Sequence, residues 1–430
     1  MSTLASAELV ERIWERDPSV WTGGNEAQWL GWLDEPARMR ERIPELRDFA
    51  AGLDVDDVVL LGMGGSSLAP EVLRRAFGVD RFHVLDTTHP TAIRRVEAAV
   101  DVERTLFVAA SKSGTTVETR SHTDLFRERG GRFAVITDPG SPLAEISEDV
   151  FYGEPTIGGR YSALSVFGLL PAVLMGLDVE RLLDRAEEMR EACRQEVGNP
   201  GLALGVRLAE TPFVRIEGDF GLWVEQLVAE STGKRGKGIV PVRHGGDALE
   251  TPLDDPYDLG QEFFRWEFGT AVAGSALGIN PFDQPDVQSA KDRTNALLSE
   301  QSVSDTRRVS DGHVDEVLKH AGPGSYVAIQ AFIDPAREGE LEPLVELARA
   351  TGAAVSVGLG PRYLHSTGQL HKGGPDTGLF IQVVGDLGEE LPIPGRKFGF
   401  RELIQAQADG DYQALAERGR RIVRVRLEDL

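Results

Sequence analysis

Cysteine is almost absent from this sequence of 430 residues, in which Cys193 is the single example. One cysteine excludes an intramolecular disulfide and any metal cluster built on several thiolates. Long apolar runs are also lacking, and the N-terminal residues show no basic region followed by an apolar one. We therefore expect a cytoplasmic protein that has neither an export signal nor a membrane-spanning helix.

Positive charge is scarce as well, because 46 Lys and Arg residues face 69 Asp and Glu residues and leave a net charge of -23. Such an excess of negative charge excludes nucleic acid and anionic membranes as expected partners. Metal-binding motifs of the His-Glu-x-x-His type do not occur, and His365 and His371 are isolated on a glycine-rich segment. The sequence therefore predicts no metal site.

What the chain does contain is a regular alternation of apolar strands and amphipathic helices. Five strands are predicted at 58–61, 82–86, 105–109, 133–136 and 150–152, and five more at 213–217, 238–242, 326–333, 354–359 and 379–384. Helices are predicted at 7–16, 26–33, 36–53, 163–197, 220–229, 259–278, 285–299, 311–321 and 335–351. The alternation predicts an α/β protein with doubly wound parallel sheets. We divide it into an N-terminal helical segment (1–50), a first domain (51–198) and a second domain with C-terminal helices (199–430).

Two loops rich in Gly, Ser and Thr lie about fifty residues apart, at Gly62–Ser67 and Ser111–Thr119. Each follows a buried strand and precedes a helix, so that backbone N–H groups and hydroxyls converge on a helix N-terminus. This arrangement predicts a site for a phosphate monoester. The candidate binding residues are Gly65, Ser66, Ser111, Lys112, Ser113, Thr115, Thr116 and Thr119.

The first loop also invites a dinucleotide interpretation, because Asp86 ends the next strand at the right distance for a ribose hydroxyl. The fingerprint requires a third glycine, and that position is occupied by Ser67. A nicotinamide or flavin enzyme is accordingly disfavoured, and no cofactor is expected.

Five local sequences together resemble the glucose-6-phosphate isomerase family, most closely its branch fused to transaldolase. They are the two loops, Gly158–Ser162 (GGRYS), Glu230–Lys234 (ESTGK) and Phe282–Lys291 (FDQPDVQSAK). No transaldolase part is expected, since only about fifty residues precede the first loop. The resemblance implies two sugar isomerase domains, a homodimer, and cofactor-free interconversion of glucose 6-phosphate and fructose 6-phosphate.

The resemblance also implies roles for single residues. Glu230 would be the base, at a helix end where partial desolvation raises a carboxyl pKa. Arg160 would stabilise the enediolate. Lys291 would contact the ring oxygen, and Gln284 would contact the substrate.

The chain departs from the family pattern at two places. Gln288 stands where the last signature usually has a glutamate, and the usual place of the ring-opening histidine falls on Gln261 and Glu262. A Gly-Gln-x-His sequence occurs instead at 368–371. We therefore assign ring opening to His371, with His365 or other groups as the alternative.

Two other functions stay open at this point. One is a relaxed isomerase that also accepts mannose 6-phosphate, and the other is a non-catalytic sensor of sugar phosphates. A sensor would need the phosphate loops but no base, so the joint presence of Glu230, Arg160 and Lys291 favours an enzyme.

Overall fold

A computed structural model describes residues 3–251, 253–285, 293, 294, 296, 298 and 313–430. Its strands are β1 (Asp57–Gly62), β2 (Phe82–Leu85), β3 (Thr105–Ala110), β4 (Arg132–Thr137), β5 (Val150–Tyr152), β6 (Phe213–Arg215), β7 (Val240–Pro241), β8 (Asp247–Ala248), β9 (Tyr326–Phe332), β10 (Ala354–Leu359), β11 (Gly378–Val384) and β12 (Arg421–Arg426). Its α-helices are α1 (Thr3–Trp14), α2 (Glu35–Ala51), α3 (Leu68–Ala76), α4 (Pro90–Ala99), α5 (Val117–Glu128), α6 (Val166–Leu174), α7 (Val179–Ala192), α8 (Pro200–Ala209), α9 (Gly221–Thr232), α10 (Leu259–Leu277), α11 (Val314–Leu318), α12 (Glu342–Ala350), α13 (Gly368–Gly373) and α14 (Phe400–Glu417). Short 3-10 turns at Gly64–Ser66, Gly159–Tyr161 and Arg362–His365 carry site residues.

The first sheet has five parallel strands in the order β2-β1-β3-β4-β5. In β1, Val58 and Leu60 pack into one apolar cluster, whereas Val59 and Leu61 pack into another on the opposite face. A strand buried on both faces is typical of parallel sheets covered by helices. The strand order reverses beside β1, which makes the carboxyl ends of β1 and β3 the expected ligand site.

The second half of the chain forms two parallel sheets, with strand orders β10-β9-β11-β12 and β7-β6-β8. An antiparallel bridge between His244 and Val355 connects them. Strands β8 and β12 are additions to the predicted set. The parallel sheets flanked by helices confirm the predicted α/β class with doubly wound sheets.

Some predicted helices differ in detail from the observed ones. The single helix predicted over 163–197 is two helices, because Gly176 adopts a positive φ of 78° and Asp178 caps the N-terminus of α7. The segment predicted as a helix at 26–33 forms 3-10 turns instead, and so does the first part, 335–341, of the helix predicted at 335–351. The predicted helix at 285–299 lies largely outside the described residues.

The N-terminal segment packs on α10, which also contacts α7 and α8. Trp14 donates its indole N–H to the carbonyl oxygen of Cys193, and Trp21 donates to that of Ala271. The ring of Trp14 also stacks on Phe264 and Phe268 of α10. The segment is therefore part of the main apolar cluster.

Candidate active site

The first Gly-Ser loop lies at the carboxyl end of β1. The loop residues Gly64–Ser66 form a 3-10 turn in which Ser66 is buried and donates its backbone N–H to the carbonyl of Met63. Helix α3 begins directly afterwards, at Leu68. The local sequence thus produces the strand, turn and helix that an anion site of this type needs.

The second loop lies at the carboxyl end of β3 and leads into α5. Its hydroxyls meet in pairs, since Ser111 Oγ lies 2.9 Å from Thr116 Oγ1 and Ser113 Oγ lies 2.9 Å from Thr115 Oγ1. Both Ser113 and Thr115 are exposed at the loop surface. Because hydroxyls can rotate to donate or accept, these pairs can re-form their hydrogen bonds around an anion.

Lys112 and Thr119 occupy different positions from the other loop candidates. The Lys112 ammonium donates to Asp138 Oδ1 at 2.8 Å and to the Glu154 carbonyl at 3.1 Å, so it is already paired. Thr119 is buried within α5, and its hydroxyl has no partner among the described residues.

Arg160 reaches the first loop through a direct contact between two backbones. A Cβ atom placed on Gly65 would lie 2.0 Å from the carbonyl oxygen of Gly159, so that only glycine fits there. The 3-10 turn Gly159–Tyr161 is therefore held against the turn Gly64–Ser66. This contact places Arg160 beside a loop that is about ninety residues away in sequence.

The Arg160 guanidinium and the Glu230 carboxylate face each other, with 3.6 Å between Nη1 and Oε2. Both residues are buried, with exposed fractions of 1% and 5%. Burial raises the pKa of Glu230, whereas the nearby Arg160 opposes that rise. The site thus holds a carboxylate whose affinity for protons is increased beside a fixed positive charge.

Within the described residues, two of the three guanidinium nitrogens of Arg160 donate hydrogen bonds to the protein, and the third does not. Its Nε donates to Ser231 Oγ at 2.8 Å, and its Nη2 donates to the carbonyls of Pro281 and Asp283 at 2.6 and 3.0 Å. Its Nη1 is buried and has no hydrogen-bond partner in the part of the chain that the structure describes. A buried, unused donor next to a carboxylate can bind a substrate oxygen.

His365 joins this group through its backbone and its ring. Gln226, one helical turn before Glu230 on α9, donates to the His365 carbonyl at 2.9 Å and to Glu230 Oε2 at 3.3 Å. The His365 ring lies 2.8 Å from Glu118 Oε1, counted from Nε2, and Glu118 also accepts from Gln407. The imidazole is therefore held at the start of α5, next to the second loop.

His371 lies in a different environment, although it is only six residues further along the chain. It is buried among the rings of Tyr326, Tyr363 and Phe380, and its Nδ1 lies 3.3 Å from the Tyr326 hydroxyl. Burial lowers its pKa to about 3. The described contacts connect His371 to the core of the second half and do not connect it to Glu230.

The last signature is only partly described. Gln284 is exposed and directly follows Asp283, whose carbonyl accepts from Arg160. Lys291 and Gln288 lie outside the described residues. The sequence analysis gave no role to four residues that lie at the candidate site: Glu118, Gln226, Ser231 and Lys234. The spacing of four between Gln226 and Glu230 on a helix was a usable signal for Gln226.

Comparison with known proteins finds similarity to phosphoglucose isomerases over part of the chain. Residues 37–200 match the family model described as phosphoglucose isomerase. A glucose-6-phosphate isomerase of Thermus thermophilus is 37% identical over 185 residues, which cover 39% of this chain and 44% of that relative. The chain therefore spans less than half the length of that relative. A probable glucose-6-phosphate isomerase of Methanococcus maripaludis is 23% identical over 384 residues, covering 66% of this chain and 87% of the relative.

Solved structures show the same fold. A hypothetical protein of Thermus thermophilus matches 98% of this chain and 83% of its own, with a TM-score of 0.50 and 23% identity. A glucose-6-phosphate isomerase of Chlamydia trachomatis matches 70% of this chain and 79% of its own, with a TM-score of 0.53 and 20% identity. Within the described ranges, no helix has both the length and the apolar character needed to cross a bilayer.

Proposed function

We propose that this chain is a phosphoglucose isomerase and interconverts glucose 6-phosphate and fructose 6-phosphate. The observation that supports this most directly is the pairing of Glu230 with the unused Nη1 donor of Arg160. An aldose–ketose isomerisation moves one proton between C2 and C1 and creates a transient negative charge on oxygen. One buried base and one buried cationic donor are what such a reaction requires.

Glu230 removes the proton from C2 of the open aldose and returns it to C1. The enediolate that forms in between carries its negative charge next to the Arg160 guanidinium. Because Nη1 is already desolvated and fixed by the bonds of Nε and Nη2, it needs no reorganisation when the charge develops. The raised pKa of Glu230 brings its proton affinity closer to that required for reversible transfer near neutral pH.

We assign ring opening to His365 instead of His371. An imidazole that exchanges a proton with a sugar oxygen must change its charge near neutral pH. His365 lies beside the Glu118 carboxylate, which orients the ring and pairs with it when the ring is charged. His371, with a pKa of about 3 and aromatic neighbours, is unsuited to that task.

The phosphate is bound at the two loops at the switch point of the first sheet. The hydroxyls of Ser111, Ser113, Thr115 and Thr116 and the N-terminus of α5 supply the donors. Binding energy from this unreactive end positions the sugar carbons against Glu230.

The test is substitution of Glu230 by glutamine, which keeps the shape and removes the base. We expect kcat to fall by on the order of a hundredfold or more, while the affinity for a phosphorylated inhibitor changes little. The matched control is Glu225→Gln. Glu225 lies on the same helix and burial also raises its pKa, but its carboxylate accepts a hydrogen bond from Ser366 and does not face Arg160. Near-normal kcat in the Glu230 variant would eliminate it as the base.

Fructose 6-phosphate supplied to the purified protein distinguishes the remaining alternatives. Formation of glucose 6-phosphate alone supports the proposal, and formation of mannose 6-phosphate as well indicates relaxed stereospecificity at C2. Binding without any product indicates a sensor. The homodimer implied by the family resemblance stays a prediction. Light scattering of the protein as it leaves a size-exclusion column measures its mass and tests this.

A further inference from the structure

Lys234 is a buried lysine next to the base, and the proposed mechanism gives it no role. It ends the Glu230–Lys234 box, two residues after the end of α9, and has an exposed fraction of 1%. Its Nζ donates to the Asn280 carbonyl at 2.8 Å, to the Asp283 carbonyl at 2.6 Å and to Asp283 Oδ1 at 2.7 Å. These acceptors belong to one chain segment, residues 280–283, which we call the 280–283 turn.

The ammonium group of Lys234 has no donor left for a ligand. An ammonium carries three N–H bonds, and the three oxygens of the 280–283 turn account for all of them. Lys234 therefore does not bind the sugar or its phosphate in this arrangement.

Arg160 is held by the same turn. Its Nη2 donates to the Pro281 carbonyl and to the Asp283 carbonyl, which is also an acceptor for Lys234. The single carbonyl oxygen of Asp283 thus lies between two buried cations. Placing two positive groups so close together is unfavourable, and burial together with Arg160 lowers the pKa of Lys234 to about 7.

We propose that Lys234 is a positioning residue that fixes the 280–283 turn and thereby directs Nη1 of Arg160 at Glu230. This inference rests on the proposed function, because it assigns Lys234 to the isomerase site. The geometry is specific: Lys234 immobilises the Asp283 carbonyl by bonding to the backbone and side chain of the same residue. A fixed acceptor for Nη2, together with the bond from Nε to Ser231, fixes the plane of the guanidinium, since its nitrogens are coplanar.

The experiment is Lys234→Met, compared with Lys237→Met as its matched control. Lys237 lies in the same tight turn, but its side chain is exposed and its Nζ donates to the Leu277 carbonyl. We expect Lys234→Met to lower kcat by on the order of ten- to a hundredfold with nearly unchanged affinity for inorganic phosphate. Lys237→Met should retain kcat within about twofold.

A double variant separates positioning from a general loss of structure. If Lys234 acts through Arg160, then Arg160→Ala with Lys234→Met should be about as slow as Arg160→Ala alone. Full additivity of the two losses, or an unchanged kcat in Lys234→Met, would overturn the proposal. An inactive wild-type protein would instead overturn the proposed function. If Lys234→Met does not fold, Lys234→Gln, which keeps two donors, should show a smaller loss of kcat in the same direction.

Discussion

Two histidines six residues apart show how strongly the surroundings of a side chain decide its chemistry. The Gly-Gln-x-His pattern favoured His371, but the structure places that ring among aromatic side chains. His365, which has no motif of its own, is the one whose backbone is tied to Gln226 and whose ring lies beside Glu118. A local sequence pattern carries no information about which distant side chains will surround it.

The two histidines can be separated by experiment. We expect His365→Asn to slow the isomerisation of cyclic sugar while proton exchange on substrate supplied in the open form continues, because only ring opening needs the imidazole. His371→Asn should lower the stability of the protein and leave the ratio of cyclic-sugar isomerisation to proton exchange unchanged. The measurement is solvent hydrogen exchange at C1 and C2 alongside net turnover. The opposite pattern would return ring opening to His371.

Among the secondary-structure elements, helix α5 is the one whose N-terminus we propose to hold the phosphate. Replacing Ser113 and Thr116 together by alanine should weaken the binding of any phosphorylated sugar, because each charge-assisted hydrogen bond contributes about 1.5–3 kcal/mol. Thr123→Ala is the control, since that hydroxyl lies on the same helix and bonds to the Thr119 carbonyl. Calorimetry with a phosphorylated sugar acid measures the affinity of both variants. An affinity of the double variant equal to that of the control would remove this loop from the site.

The elements themselves were largely predictable, because the signals for them are local. Strands β1 and β3 and the loops after them follow from apolar runs that end in small residues. The break between α6 and α7 was missed, although Gly176 and Asp178 are ordinary stop and start residues. The resemblance implied that Arg160 and Glu230 share one site, but their direct contact could not be predicted, since it depends on how elements about seventy residues apart pack together.

The whole molecule is strongly acidic, yet its proposed ligand is an anion. In the proposed site this conflict is reduced by Arg160, which lies inside the protein, where water screens its charge little. Exposed carboxylates further away are weakened by salt over roughly 8 Å. A local, buried cation can therefore outweigh the net charge at the site.

A buried pair of acidic residues links the stability of the molecule to pH. Glu35 begins α2, and burial raises its pKa from 4.5 to about 7; the fully buried Glu267 of α10 also has a raised pKa, in part because of Glu35. A raised pKa means that the folded state holds the proton more tightly than the unfolded chain. The contribution is therefore complete below pH 4.5 and is lost as the pH rises through about 7.

We expect the free energy of unfolding to fall between about pH 4.5 and pH 7, with up to roughly 3 kcal/mol of the fall due to Glu35. Glu35→Gln should flatten this dependence, because the neutral amide has no proton to lose. Glu45→Gln on the same helix should leave the pH dependence unchanged, because that side chain is half exposed and pairs with Arg42. Urea unfolding at several pH values measures all three proteins, and parallel curves would contradict the assignment.

The contact between Gly65 and Gly159 has a consequence for substrate length. Because two backbones touch there, the spacing between the first loop and the turn that carries Arg160 is set by main chain, and the hydrogen bonds of Nε and Nη2 hold the guanidinium in place. In the proposed site, the distance between the phosphate and the reacting carbons of the substrate is then fixed. A sugar phosphate that is one carbon shorter could bind its phosphate or reach Glu230, but it could not do both without separating these two turns.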